Sequence, residues 1–151
     1  KKILKKLDIT NTQFETYVQN ESYSGITAKY ILGKINSHLL VARAITKVLD
    51  DATLEHILPQ NMNKDWEKLF KLSEHDRYFE RIGNLTLVDG VWNSEMQNKS
   101  FEEKKVKYAQ QKDVKITLDL SKVPKWDVDA IENRSENFAG DVSSIWLSLV
   151  D

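Results

Sequence analysis

The chain contains no cysteine among its 151 residues, and it has only 5 glycines and 2 prolines. Without cysteine it has no disulfide, no thiolate nucleophile and no Cys-ligated zinc site. No apolar run reaches the roughly 20 residues that cross a bilayer, and no secretory leader opens the chain. We therefore expect a protein of the cytoplasm with no membrane partner.

The chain also lacks an excess of positive or negative charge, because its formal net charge is only −1. Many DNA-binding domains are basic overall, and this chain is not. Basic residues are concentrated locally: six lysines face three acidic residues between Lys99 and Lys115. Such a patch favours a protein that meets phosphate on one face, although a solvated helix face explains it equally well.

The chain opens in a basic segment, Lys1 to Lys6, without an initiator methionine. We expect it to be a piece of a longer protein. Its 151 residues are about one domain long, and we treat 1–151 as a single domain.

Helical periodicity covers most of the sequence. Apolar residues recur at steps of three and four from about Ile26 to Leu49, and again from Ile131 to Leu149. Capping-box patterns begin at Thr10 and Ser100 and mark two further helix starts. Two short helices are expected at 63–72 and 73–82, with Gly83 as a helix stop.

Two short apolar segments indicate strands. The first runs from Thr53 to Leu58 and is bounded by Pro59. The second runs from Leu85 to Val88 and is ended by Asp89-Gly90, which is a strong turn signal. The sequence therefore predicts an α+β fold, mainly helical, in which a helical domain surrounds a strand–loop–strand–helix unit.

The end of the first strand carries a carboxylate and an imidazole in sequence, Glu55 and His56. A carboxylate together with an amide oxygen, such as that of Asn93, suits magnesium or manganese better than zinc. A neutral imidazole can then take a proton from an attacking water. Asn84 could brace the strand and loop that carry His56, through its amide and its backbone.

Each of these residues also has an ordinary structural interpretation. His56 could be a core histidine, Glu55 a solvated carboxylate at a strand end, and Asn93 a helix N-cap. His38 and His75 stand in polar helical surroundings and are expected to be surface residues. Taken together and in this order, the residues Glu55, His56, Asn84 and Asn93 favour a site that hydrolyses phosphodiesters.

The segments Leu54-Glu55-His56-Ile57-Leu58-Pro59-Gln60 and Ile82-Gly83-Asn84-Leu85-Thr86-Leu87, followed by Asn93, resemble the HNH (His-Me finger, ββα-metal) endonucleases. More closely, they resemble the C-terminal nuclease domain of GmrSD-type modification-dependent (type IV) restriction enzymes. The similarity runs from roughly Tyr23 to Trp146. It implies a ββα-metal core over residues 53–112.

The resemblance also implies an activity: metal-dependent cleavage or nicking of DNA in the restriction of foreign or phage DNA. Many HNH enzymes have aspartate in place of Glu55 and histidine in place of Asn93, so the choice between Mg²⁺ and Mn²⁺ stays open. The roles carried over are general base for His56, orientation of that histidine for Asn84, metal ligation for Glu55 and Asn93, and DNA contact for Lys99, Lys104 and Lys105.

Two further expectations concern partners and rivals. By the same resemblance, a ParB-like nucleotide-binding domain would precede this fragment. No Gly-rich phosphate loop occurs here, so nucleotide binding is not expected of the fragment itself. The rival hypothesis is a catalytically degenerate DNA-binding or regulatory module.

Overall fold

The computed structural model describes residues 10–40 and 52–147. This part of the chain is mainly helical with one small sheet, as the α+β prediction requires. Its helices are α1 (Asn11–Asn20), α2 (Gly25–Leu40), α3 (Lys64–Glu67), α4 (Leu72–Tyr78), α5 (Gly90–Met96), α6 (Phe101–Tyr108), α7 (Lys115–Leu118) and α8 (Val128–Leu147), and its strands are β1 (Ala52–His56) and β2 (Leu85–Asp89). Within these described ranges, no helix has both the length and the apolar character needed to span a bilayer.

The two strands form an antiparallel pair in which His56 lies opposite Leu85. The chain leaves the ladder after His56 because the next two main-chain N–H groups turn to Asn84: Ile57 donates to its main-chain oxygen and Leu58 to its Oδ1. Strand β1 therefore ends two residues before the predicted end at Leu58. Helix α5 starts directly after β2 and contacts both strands, which completes a strand–strand–helix unit.

Two apolar clusters hold the helices against this unit. The first lies where α1, α2 and α8 meet the sheet and includes Leu32, Ile35 and Leu87. The second lies on the side of the loop after β1 and includes Trp66 and Trp126. Helices α2, α5 and α7 contact the strands directly, and α8 contacts the turn that precedes β2.

Local sequence signals have mixed outcomes. The capping boxes at Thr10 and Ser100 are confirmed. The predicted turn at Asp89-Gly90 is wrong, because the Asp89 carboxylate accepts from Val91 N at 2.9 Å and caps α5. Helices α3 and α4 are shorter than the predicted 63–72 and 73–82. The predicted continuation of the second helix from 41 to 49 lies outside the described residues.

Gly83 is required by a close approach and not by a helix stop. It lies in a 3-10 turn, Ile82–Asn84, against helix α8. A Cβ at this position would stand 2.3 Å from Ile131 O and 2.4 Å from Ser135 Oγ. Two hydrogen bonds stabilise this contact: Gly83 N donates to Ser135 Oγ, and Arg134 Nη1 donates to Gly83 O. The turn that carries Asn84 is thus fastened to α8.

Gly83→Ala is expected to lower the free energy of unfolding by about 1–3 kcal/mol or more, because a methyl group must displace the α8 backbone. Gly33→Ala is the matched control, since nothing lies within 4 Å of a Cβ there. In the middle of α2 that change should raise stability by about 0.5–1 kcal/mol. Urea unfolding of both variants measures the contrast, and equal stabilities would contradict it.

Candidate functional site

A cavity of about 720 Å³ opens where β1 ends beside α5 and the start of α2. This volume is in the range of ordinary ligand sites. Glu55, His56 and Asn93 all contribute to its wall. Asn84 lies outside the wall and is fully buried. Three of the residues singled out in the sequence therefore share one cavity, and the fourth stands behind it.

The His56 imidazole is held by packing rather than by hydrogen bonds. Its ring lies against Phe79, with centroids 6.2 Å apart and planes at 25°. Nε2 is buried without a partner, and Nδ1 forms no hydrogen bond with any described residue. Burial, followed by the positive charge of Lys104, lowers the pKa of His56 to about 4. The ring is therefore neutral near pH 7.

A second histidine supports this packing. His75 Nε2 donates to Pro59 O at 2.8 Å, and its ring stacks on Phe79 with centroids 5.1 Å apart. Phe79 thus lies between the rings of His75 and His56. The expectation that His75 is a surface residue is wrong, since it is only 8 % exposed. Its spacing of four from Phe79, one helical turn, was the signal for this stack.

The side chain of Asn84 makes four hydrogen bonds. Oδ1 accepts from Leu58 N at 2.7 Å and from Trp126 Nε1 at 3.1 Å. Nδ2 donates to Leu58 O at 2.9 Å and to Phe79 O at 2.8 Å. Asn84 does not bond to the His56 ring. It fastens the main chain that follows His56 and the residue that packs on the ring.

Asn93 lies inside α5, and the N-cap of that helix is Asp89. The alternative in which Asn93 only caps a helix is therefore wrong. Its Nδ2 donates to Leu54 O at 2.9 Å and to Thr53 Oγ1 at 3.1 Å. Its Oδ1 accepts no hydrogen bond from the described residues. The two Nδ2 bonds fix the amide and leave a carbonyl oxygen available.

Glu55 and His56 are neighbours on β1, where successive side chains point to opposite faces of the sheet. Oε1 accepts from Lys104 Nζ at 2.7 Å and from Tyr108 Oη at 3.2 Å, whereas Oε2 accepts nothing from the described part of the chain. Burial raises the pKa of the Glu55 carboxyl, and the Lys104 ammonium opposes that rise. Glu55 still lines the cavity, although it is only 2 % exposed.

The three lysines expected to contact DNA lie in different environments. Lys104 is fully buried, so it has no surface from which to reach a phosphate, contrary to the sequence-based expectation. Lys105 is partly covered, lies over the Phe101 ring and is 3.5 Å from Glu102. Lys99 is exposed and directly follows Asn98, which lines the cavity.

The oxygen atoms of this cavity suit a hard cation better than zinc. Nowhere in residues 10–40 and 52–147 do three or more histidine, cysteine or acidic side chains cluster in a way that could hold a metal ion. Glu55 Oε2 and Asn93 Oδ1 are two oxygen atoms that accept no hydrogen bond from the described residues. Magnesium commonly takes one or two protein oxygens and completes its shell with water and phosphate oxygens.

A family model described as GmrSD restriction endonucleases, C-terminal domain, matches residues 5–141. No curated protein matches the chain.

The neutrality of His56 can be measured directly. In the metal-free protein, the ring C–H resonances of His56 should titrate with a midpoint of about 4, below the ordinary value of 6.5, because burial disfavours the charged ring. His56→Gln assigns the signal. Since the unfolded chain binds this proton more readily, stability should fall as the pH drops from 6.5 towards 4, and His56→Gln should weaken that fall. A midpoint near 6.5 would contradict the burial of the ring.

Asn84→Asp is expected to lower the free energy of unfolding by about 2–4 kcal/mol, because an oxygen would then face two carbonyls that now receive a hydrogen bond. The exposed Asn137 of α8 provides the control, and Asn137→Asp should change stability by less than about 0.5 kcal/mol. Thermal and urea unfolding compare the two. Similar losses of stability in Asn84→Asp and Asn137→Asp would contradict a bracing role for the Asn84 side chain.

Proposed function

Because the chain belongs to the family of GmrSD restriction endonuclease C-terminal domains, we propose that it is a metal-dependent DNA endonuclease of the HNH type. It would nick or cleave phosphodiester bonds in the restriction of foreign or phage DNA. One observation carries the proposal. His56, whose imidazole is neutral, lines the same cavity as Glu55 and Asn93, and each of these two has one side-chain oxygen with no hydrogen-bond partner among the described residues.

His56 is the general base of this proposal. Its Nδ1 has no hydrogen-bond partner in the described residues, so it can receive the proton of a water that attacks phosphorus. Proton transfer of this kind contributes about 10²–10⁴-fold to a rate. Packing against Phe79 and the main-chain bonds of Asn84 hold the ring in place. Asn84 is therefore a positioning residue in the mechanism.

Glu55 and Asn93 would hold Mg²⁺ or Mn²⁺ through Oε2 and Oδ1. When bound, the ion would stabilise the charge that develops on the phosphate and the leaving oxygen. The two bonds from Asn93 Nδ2 orient its carbonyl oxygen for this role. The order of β1, β2 and α5 supports a ββα-metal core within residues 53–112.

DNA contact is proposed for Lys99 and, to a smaller extent, Lys105. Lys99 is exposed next to the cavity, and the main chain there is fixed because Trp66 Nε1 donates to Lys99 O at 3.0 Å. A cytoplasmic location and an N-terminal ParB-like nucleotide-binding domain in the longer protein complete the proposal. The family description, a C-terminal domain, supports such a preceding part.

His56→Ala should reduce nicking of supercoiled plasmid in Mn²⁺ by at least about 100-fold, because the base that activates water is lost. Nicking by the unchanged chain should stop when EDTA removes the ion. Agarose-gel conversion of supercoiled to open-circular DNA measures both effects.

The matched control is His38→Ala, which removes an exposed histidine on α2 and should leave nicking unchanged. Circular dichroism confirms that both variants are folded. Equal nicking by His56→Ala and the unchanged chain would refute the assignment of the base. An unchanged chain that binds DNA but never nicks it in Mg²⁺ or Mn²⁺ would support the degenerate module instead.

A further inference from the structure

Lys104 has an environment that ordinary packing does not explain. It lies on α6, it is 0 % exposed, and it is among the largest fully buried side chains. An apolar side chain of similar size usually stabilises a core as well as a buried charge does, because an ammonium loses its hydration there. The nearest described carboxylate is that of Glu55, and the side chains of both residues are buried. We therefore expect the buried lysine at this position to have a role other than packing.

The ammonium of Lys104 is fully satisfied by three consecutive residues. Nζ donates to Glu55 Oε1 at 2.7 Å, to His56 O at 2.9 Å and to Ile57 O at 3.1 Å. An ammonium has three hydrogens to donate. One atom thus ties together the proposed metal ligand, the proposed base and the first residue of the turn.

These bonds complement those of Asn84. Asn84 fixes Ile57 N and both main-chain polar groups of Leu58, whereas Lys104 fixes the carbonyls of His56 and Ile57. The main chain on the C-terminal side of His56 is therefore held from two directions. Because the ring itself has no hydrogen bond in the described structure, its position follows from this main chain and from Phe79.

The Lys104 ammonium also makes the two oxygens of the Glu55 carboxylate different from each other. Oε1 receives Lys104 and Tyr108, so Oε2 is the oxygen left for a cation. A carboxylate held in this way would bind an ion through one oxygen in a fixed orientation. Groups that orient metal ligands commonly change metal affinity or activity by 10–100-fold when they are lost.

We propose that Lys104 is a positioning residue of the nuclease site: its buried ammonium holds Glu55 by Oε1, presents Oε2 to the ion, and fixes the main chain that carries His56. This inference rests on the proposed function. It differs from the DNA contact expected from the sequence, and it predicts that Lys104 stays on Glu55 when the ion binds.

The mutational test uses Lys104→Met, which replaces the lysine by an unbranched apolar side chain one atom shorter and removes all three hydrogen bonds. Its affinity for Mn²⁺, measured without DNA from the electron paramagnetic resonance signal of free Mn²⁺, should fall at least about tenfold. The kcat for nicking at saturating Mn²⁺ should fall by a similar factor or more, because the main chain behind His56 is also released. Circular dichroism at low temperature establishes that the variant is folded.

Leu32→Ala is the control for lost stability alone. Leu32 is fully buried on α2 and lines no part of the site cavity. Folded Leu32→Ala should keep the Mn²⁺ affinity and kcat of the unchanged chain. A folded Lys104→Met variant that matches the unchanged chain within twofold in both quantities would overturn the proposal.

A measurement on the unchanged chain decides the matter even if Lys104→Met does not fold. Hydrogen-bonded, buried lysine ammonium groups exchange slowly enough to be detected by ¹H–¹⁵N NMR. The Lys104 ammonium signal should persist when Mg²⁺ saturates the protein. Loss of that signal on Mg²⁺ addition would mean that the ion displaces Lys104 from Glu55, and the proposal would fall.

The outcomes separate this inference from the proposed function. A chain that binds Mn²⁺ but never nicks DNA would refute the proposed nuclease activity. The Mn²⁺ affinities of the unchanged chain and of Lys104→Met would still test the positioning role of Lys104. A chain that nicks DNA through His56 but tolerates Lys104→Met would keep the nuclease and refute the positioning role.

Discussion

The site depends on the fastening of four residues, 55–58, at the point where β1 leaves the sheet. Asn84 reaches them from the turn before β2, and Lys104 reaches them from α6. Both side chains are fully buried, and their polar groups are satisfied by this one segment, by Phe79 and by Trp126. A buried polar network of this kind tolerates little displacement, because each lost partner leaves a desolvated group unpaired. The rigidity of a short turn thus replaces direct hydrogen bonds to the His56 ring.

The wider fold keeps this fastening in place. Helix α8 contacts the turn that contains Gly83, and its partly buried Arg134 donates to Gly83 O and Leu85 O on either side of Asn84. The Trp126 indole, just before α8, donates to Asn84 itself. The C-terminal helix and its approach therefore brace the site without lining its cavity.

Much of this arrangement could be predicted from the sequence. The spacing of apolar residues, the capping boxes and the two short strands gave the fold class, and the motifs around His56, Asn84 and Asn93 gave the family resemblance, which the family match confirms. Contacts between distant segments could not be predicted in this way. Gly83 meets α8 about fifty residues later, and that neighbour does not appear in a local pattern. The sequence predicts DNA contact for Lys104 because a charged side chain is normally exposed. Its spacing from Phe101 and Tyr108, which places all three on one helical face, was the available signal that it is buried.

The central claim is that one cation and one imidazole meet at the same cavity. The most direct measurement is a crystal structure of the chain with Mn²⁺, read from the anomalous signal of the ion. The account predicts a peak about 2.1 Å from Glu55 Oε2 and from Asn93 Oδ1, beside the ring of His56. A well-occupied Mn²⁺ peak elsewhere, or none in this cavity at saturating Mn²⁺, would contradict it.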